Sequence, residues 1–426
     1  IDRIDRLDGR LRAWVHVDRE AALDTARRMT EEAASGKFRG TLHGVPIGIK
    51  DIIDVAGLPT RAGSPLRDDR FAAGDDAPVV AGLRRAGAII LGKTVTVEFA
   101  CFDPSPTRNP WDPDFDEHPT RTPGGSSSGS AASVSTGMCL GALGTQTGGS
   151  LVRPSTYCGI ATCKPTFGAV SRDGVVPVSY HFDHVGPMAR RVADLELMLG
   201  CLPRSKDYGP QESAASPWPG DGRLGPPRLG TLGGFWKNTA DENIRGAFAT
   251  ALAKLRDAGA EIMPIESDLD LSQVQPMHRR IMAVETAAVH RDDYRRNPEA
   301  FGPLLRRLLD EGMGISGVDY AVALAQLREY KRRAASLPEP VDALIVPSTH
   351  TTAPPTLDTI TGTSEFQAPW SCAGLPVVSI PCGLAADGMP AAVQLVGRYH
   401  DEPRLLGIAR WCETAFAFDN VPPIAK

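Results

Sequence analysis

Apolar positions recur along this chain at two periods, one near 3.6 and one short and continuous, and their alternation predicts the elements. In residues 1–35, Leu7, Leu11 and Val15 fall four apart, and Ala21, Ala22, Ala26 and Met29 continue the spacing, so exposed amphipathic helices are expected. His43 to Ile53 is short, apolar and bounded by Gly and Pro, and reads as a buried strand that contains Lys50. Asp75 or Asp76 is placed to cap a helix that Pro78 opens and Gly87 ends, and Ala88 to Gly92 then reads as a buried parallel strand. Residues 103–123 read as a loop. Ala131 to Leu143 reads as a helix of small residues, followed by a tight turn over Gly144 to Ser150. Cys158 to Val178 and Asp183 to Pro187 read as packed strands and turns, and the Pro-, Gly- and Ser-rich residues 203–227 as a linker or surface crossing.

Further on, Arg228 to Phe235 is strand-like, Thr239 and Glu242 have capping-box spacing, and Ile244, Ala247, Phe248, Ala251, Leu252 and Leu255 trace one helical face. Gly259 ends that helix and Ile262 to Ile265 forms the next strand, which makes a βαβ unit. Residues 274–336 are mostly helical in pattern. Val341 to Pro347, Val377 to Pro381 and Ala391 to Val396 are short buried strands, and Glu402 to Phe416 is a closing helix. The expected architecture is α/β: one domain over residues 1–426, with a large mixed, mostly parallel sheet covered by helices on both faces. Residues 228–336 are expected as a peripheral α/β subregion.

Composition narrows the function. The chain has 426 residues, 23% charged and 42% hydrophobic, with a net charge of −5 and no basic cluster, which argues against nucleic acid as a partner. No apolar run reaches the roughly 18 residues of a membrane helix, so a membrane is not expected as a partner. The N-terminal IDRIDRLDGR has no signal-peptide core and no initiating Met, so a preceding stretch is expected. Cys101, Cys139, Cys158, Cys163, Cys201, Cys372, Cys382 and Cys412 have neither zinc-site nor disulfide-framework spacing, and read as buried apolar residues of a cytoplasmic protein. No motif for a metal, nucleotide or other cofactor is present, and none is expected.

The candidate chemistry lies between Gly124 and Arg153. GGSSSGS alone would pass for a flexible linker, but a packed small-residue stretch and a second Gly-Gly-Ser follow it at once. Glycines let the backbone approach a ligand or take positive φ, and the amides of Thr147, Gly148, Gly149 and Ser150 are candidates to converge on one oxyanion. The histidines are scattered, none in a Gly-x-Ser-x-Gly elbow, and His118 reads as a surface residue. Lys50 is the anomaly in its apolar strand. It either reaches solvent or pairs with Asp51, or it is desolvated until neutral near pH 7 and able to act as a base. Lys93 reads as structural.

GVPIGIKD (Gly44 to Asp51), PGGSSSGSA (Pro123 to Ala131), GTQTGGSLVRPS (Gly144 to Ser155), CGIATCKPTFGAVSRDGVVP, DHVGPMARRVADL, APWSCAGLPVVSIPCG and VQLVGR occur in this order along nearly the whole chain. In this combination the sequence resembles the amidase signature hydrolases. The resemblance implies that fold and a Ser-cisSer-Lys triad, with Ser150 as acyl-enzyme nucleophile, Ser126 as proton relay after a cis peptide, and Lys50 as base. It departs from the commonest pattern at Gln146 and Val152, and looks like the branch that includes malonamidase. That places Arg153 either as a clamp on a substrate carboxylate or as a structural ion-pair partner, and makes Thr145 a substrate-binding candidate. The implied activity is hydrolysis of a small linear carboxamide, not a peptide bond, to acid and ammonia, with a carboxylate-bearing or urea-derived amide among the candidates. The alternative is the glutaminase subunit of a tRNA-dependent amidotransferase. Family analogy suggests a homodimer.

Overall fold

Eleven strands form a single sheet in the computed structural model, which describes residues 1–68, 72–205 and 225–426. In chain order they are β1 (Trp14–Val17), β2 (Pro46–Lys50), β3 (Ile89–Thr94), β4 (Gly141–Gln146), β5 (Ala161–Lys164), β6 (His184–Ala189), β7 (Arg228–Leu232), β8 (Glu261–Ile265), β9 (Ala343–Pro347), β10 (Val377–Leu384) and β11 (Pro390–Val396). Across the sheet the order is β1-β3-β2-β4-β6-β5-β10-β11-β9-β7-β8. The sheet is mixed, as expected, but its balance is not mostly parallel. Only β2–β3, β2–β4, β7–β8 and β7–β9 are parallel, and the other six pairings are antiparallel. Short apolar runs signal burial on both faces and carry no information about direction.

Both faces are buried. Ile89 and Leu91 of β3 and Ala142 of β4 join one apolar cluster with Leu7, Met29 and Ala131. Their neighbours Ile90 and Leu143 join the other, with Ile47, Ile49, Leu195 and Leu405. Helix Ser128–Ser135 covers the first face, and helices Val192–Gly200 and Glu402–Phe416 cover the second.

Several local expectations are corrected. Helix Asp2–Leu11 stops where Arg12 turns left-handed (φ 55°), and Trp14–Val17, expected as helix, becomes the antiparallel edge partner of β3. Tertiary pairing overrides the four-residue spacing there. The small-residue helix runs only over Ser128–Ser135, and Gly141–Gln146 extends as β4 between β2 and β6. Asp241, not Thr239, caps helix Glu242–Asp257, its carboxylate accepting from the Ile244 amide at 2.8 Å. Asp76 binds the Ala56 amide and Arg84 and does not cap helix Pro78–Arg85. Most of the expected 203–227 linker lies outside the described residues.

Residues 228–336 add β7 and β8 to one end of the same sheet, followed by helices Val274–Arg296, Pro303–Gly314 and Gly317–Ala334. On that continuity we read the chain as one domain. β2 and β4 are parallel neighbours, with Ile49 opposite Leu143, so Lys50 and Thr145 emerge at the same carboxyl edge. That edge is where open sheets with parallel strands hold their ligands.

Candidate active site

Lys50 ends β2 and is wholly buried. Its Nζ is hydrogen-bonded to Ser126 Oγ and Thr145 Oγ1, each at 2.7 Å, and the Ser126 partner lies 76 residues away in sequence. Asp51 does not neutralise it. The Asp51 carboxylate faces Lys93 Nζ at 3.0 Å, and both side chains are buried. Lys93 Nζ also donates to Thr60 Oγ1 at 2.9 Å, so its structural reading holds. Among the described residues no carboxylate comes within ion-pair distance of Lys50. Burial pushes its pKa down to about 7, the nearby Arg153 charge acts in the same direction, and Asp183 and Cys101 act against it.

Ser126 follows a cis peptide from Gly125, and Gly124 before it is left-handed (φ 76°) with no room for a Cβ, which would lie 2.9 Å from Pro154 Cα. The hydroxyl of Ser127 donates to Thr145 O at 3.2 Å and accepts from the Thr145 amide, which fastens this loop to β4. Ser126 and Ser150 line one cavity of about 780 Å³, together with Thr147, Gly148, Gly149 and Arg153. Thr145, expected to touch substrate, lies outside that lining and holds Lys50.

The second turn runs from Thr147 to Ser150 and is held from three sides. Gln146 Oε1 accepts from the amides of Leu151 (2.9 Å) and Val152 (3.0 Å), while its Nε2 donates to Ser371 Oγ at 3.0 Å. Ser371 Oγ donates to Gly148 O at 2.8 Å. Thr147 Oγ1 donates at 2.6 Å to Asp183 Oδ1, and Asp183 Oδ2 accepts from the Val178 and Ser179 amides. Among the described residues no acceptor takes the amide hydrogens of Gly148, Gly149 or Ser150. Neither Gly148 nor Gly149 is left-handed. Glycine serves close approach here: a Cβ on Gly149 would meet Gln367 Oε1 at 2.5 Å and displace that side chain.

Arg153, on helix Val152–Tyr157, donates through Nη2 to Gly125 O at 2.7 Å and to Thr361 Oγ1 at 3.2 Å. It makes no ion pair among the described residues, which removes the expected alternative of a structural salt bridge. Burial lowers its pKa to about 10, still far above neutrality. Asp183, Ser371 and His278 are not singled out by the sequence. His278 stacks on Phe182, contacts Thr147 O through Nε2 at 3.3 Å, and is held neutral by burial, with a pKa near 4. Asp183 and Ser371 carry a signal, since they lie in the DHVGPMARRVADL and APWSCAGLPVVSIPCG motifs. His118 is exposed, as expected. Among the described residues no group of His, Cys, Asp and Glu is arranged to hold a metal ion. No helix among them is long and apolar enough to cross a membrane.

The sequence matches the Amidase family profile over residues 1–406. The chain belongs to the Amidase family. This family member is therefore a hydrolase of carbon–nitrogen bonds. It is 35% identical to "Putative amidase AmiD" of Mycobacterium tuberculosis, over 95% of this chain and 86% of the relative. It is 33% identical to a glutamyl-tRNA(Gln) amidotransferase subunit of Nitratidesulfovibrio vulgaris, over 100% and 92%. Among solved structures, the native peptide amidase of Stenotrophomonas maltophilia superposes with a TM-score of 0.84 at 29% identity, covering 99% of this amidase and 93% of that chain.

Proposed function

We propose that this amidase hydrolyses a small linear carboxamide to acid and ammonia through a Ser150 acyl-enzyme. The observation that carries the reading is the buried, carboxylate-free Lys50 hydrogen-bonded to Ser126, whose hydroxyl shares a cavity with Ser150. Neutral Lys50 takes the Ser126 proton as Ser126 takes that of Ser150, and Ser150 Oγ bonds to the amide carbon. The carbonyl oxygen gains charge and accepts from the unpartnered amides of the 147–150 turn. The C–N bond then breaks with Ser126 protonating the amine, and a water, deprotonated along the same relay, releases the acid and restores Ser150. Arg153 at the cavity floor is the candidate partner for a carboxylate close to the scissile amide. Eight free cysteines, seven of them buried, support a reducing, cytoplasmic setting.

Ammonia release by the purified chain tests the reading. Ser150→Ala is expected to lose at least about 10³-fold in kcat/KM. Activity within tenfold of the parent would sink the assignment of Ser150. Similarity to a component of a glutamyl-tRNA(Gln) amidotransferase favours a second reading, glutamine hydrolysis within a complex. A partner chain that co-purifies and is required for glutamine turnover would establish it.

A further inference from the structure

The cavity that holds Ser150 is uneven in charge. Four arginines line it, Arg153, Arg279, Arg280 and Arg307, against two glutamates, Glu311 and Glu365. Two of the arginines are already engaged. Arg153 is buried and holds the Gly125 carbonyl. Arg279 donates through Nε (2.8 Å) to Glu311 Oε2, which its Nη2 also approaches at 2.7 Å, and its guanidinium lies over the Phe102 ring, 5.7 Å from the centroid. Arg280 and Arg307 are different. They are exposed and come from two helices, Val274–Arg296 and Pro303–Gly314. Among the described residues no carboxylate lies within ion-pair distance of either. Glu311 is taken by Arg279, which leaves Glu365 as the one unpaired acid on the lining.

We propose that Arg280 and Arg307 form an anion-binding mouth that selects acyl amides carrying a carboxylate at the end remote from the scissile carboxamide. The inference rests on the amidase reading above and adds the charge of the substrate's far end. Arg153 sits on the buried floor beside Ser126, whereas Arg280 and Arg307 sit on the exposed rim. A carboxylate meeting them therefore belongs to a longer acyl chain than one meeting Arg153. The guanidinium fork matches a carboxylate in geometry as well as charge. One exposed pair contributes little in open water, but charges of one sign around a cleft reinforce each other and raise the local concentration of an anionic substrate.

The test uses the full chain and a series of aliphatic amides of increasing length. Each ω-carboxylated amide is compared with its methyl-terminated isostere, and kcat and KM are measured by ammonia release at low and high salt. Above a threshold length the carboxylated member is expected to have about tenfold higher kcat/KM, carried mainly by KM and shrinking as salt screens the mouth. In Arg280→Gln/Arg307→Gln that preference is expected to fall about tenfold, with the thermal midpoint confirming a folded chain. The salt response of the parent reads the same mouth without any variant. Equal kcat/KM within each pair at every length overturns the proposal, as does a preference that survives the double variant. If no amide of either kind releases ammonia, the amidase reading fails instead. Calorimetric binding of each pair to Ser150→Ala then reads the mouth alone, and equal affinities overturn it.

Discussion

Lys50 shows how one residue's chemistry is set by what its neighbours do elsewhere. The nearest acid in sequence, Asp51, faces Lys93, so burial of Lys50 goes uncompensated and its pKa drops to about 7. Lys164 is equally buried and lowered to about 7, yet its Nζ meets Leu375 O at 2.7 Å, Pro165 O at 3.2 Å and His184 Nε2 at 3.2 Å, and none of these belongs to the lining of the Ser150 cavity. Geometry, and not the shift, separates base from strut. Because the base must be neutral, kcat/KM is expected to fall tenfold per pH unit below about 7 and to level above it. Lys50→Met is expected to lose about 10³-fold in kcat/KM and the acid limb with it, read from a pH–rate profile. Stability follows with its own sign. The folded pKa lies below the ordinary 10.5, so the unfolded chain binds the extra proton between about 7 and 10.5, and the Lys50 contribution improves as pH rises through that window. The stability advantage of Lys50→Met in urea is therefore expected to shrink from pH 7 to pH 10.

At the scale of elements, the Thr147–Ser150 turn keeps its amides open because side chains on other elements satisfy the groups around it. Gln146 is the central one. Its Oε1 serves two amides at the start of helix Val152–Tyr157, which has no side-chain cap of its own. Gln146→Ala leaves both amides and the Ser371 hydroxyl short of a partner in a buried site, a cost of about 2–4 kcal/mol. Urea unfolding reads this as a lower midpoint with unchanged slope. A midpoint equal to the parent's would mean that Gln146 does not hold the turn.

Across the whole molecule, the helical layer at residues 274–334 is tied to the catalytic edge of the sheet. Glu285, buried on helix Val274–Arg296, accepts from Ser179 Oγ, from Tyr320 OH at 2.7 Å and from His181. Ser179 in turn donates its amide to Asp183, which holds Thr147. The layer that supplies Arg280 and Arg307 is thus joined to the 147–150 turn through Glu285 and Asp183, and directly through His278. Glu285→Ala is expected to cost about 2 kcal/mol in urea unfolding, because it strands the buried Ser179 hydroxyl and frees the half-buried Tyr320 and His181 donors, and to lower kcat about tenfold through the displaced turn. Loss of stability at unchanged kcat would show that the Glu285 contacts do not position the turn.

The periodicity of the chain determined by itself that helices and buried strands alternate, and it located the helix Glu402–Phe416 and the strands near Lys50, Ile90 and Val393. Motif spacing singled out Lys50, Ser126 and Ser150, because glycine turns and a lysine inside an apolar strand are local anomalies that survive without any contact map. Strand direction was not legible, since an apolar run looks the same in either orientation. Nor was the fate of Thr145 and Asp51, whose partners are fixed only when β2, β3 and β4 lie side by side. Tertiary structure alone decided how Asp183, Ser371 and Glu285 support the site, because each reaches a residue more than 30 positions away through side-chain hydrogen bonds. Such contacts leave no periodic trace in a sequence, whereas burial on a repeating face does.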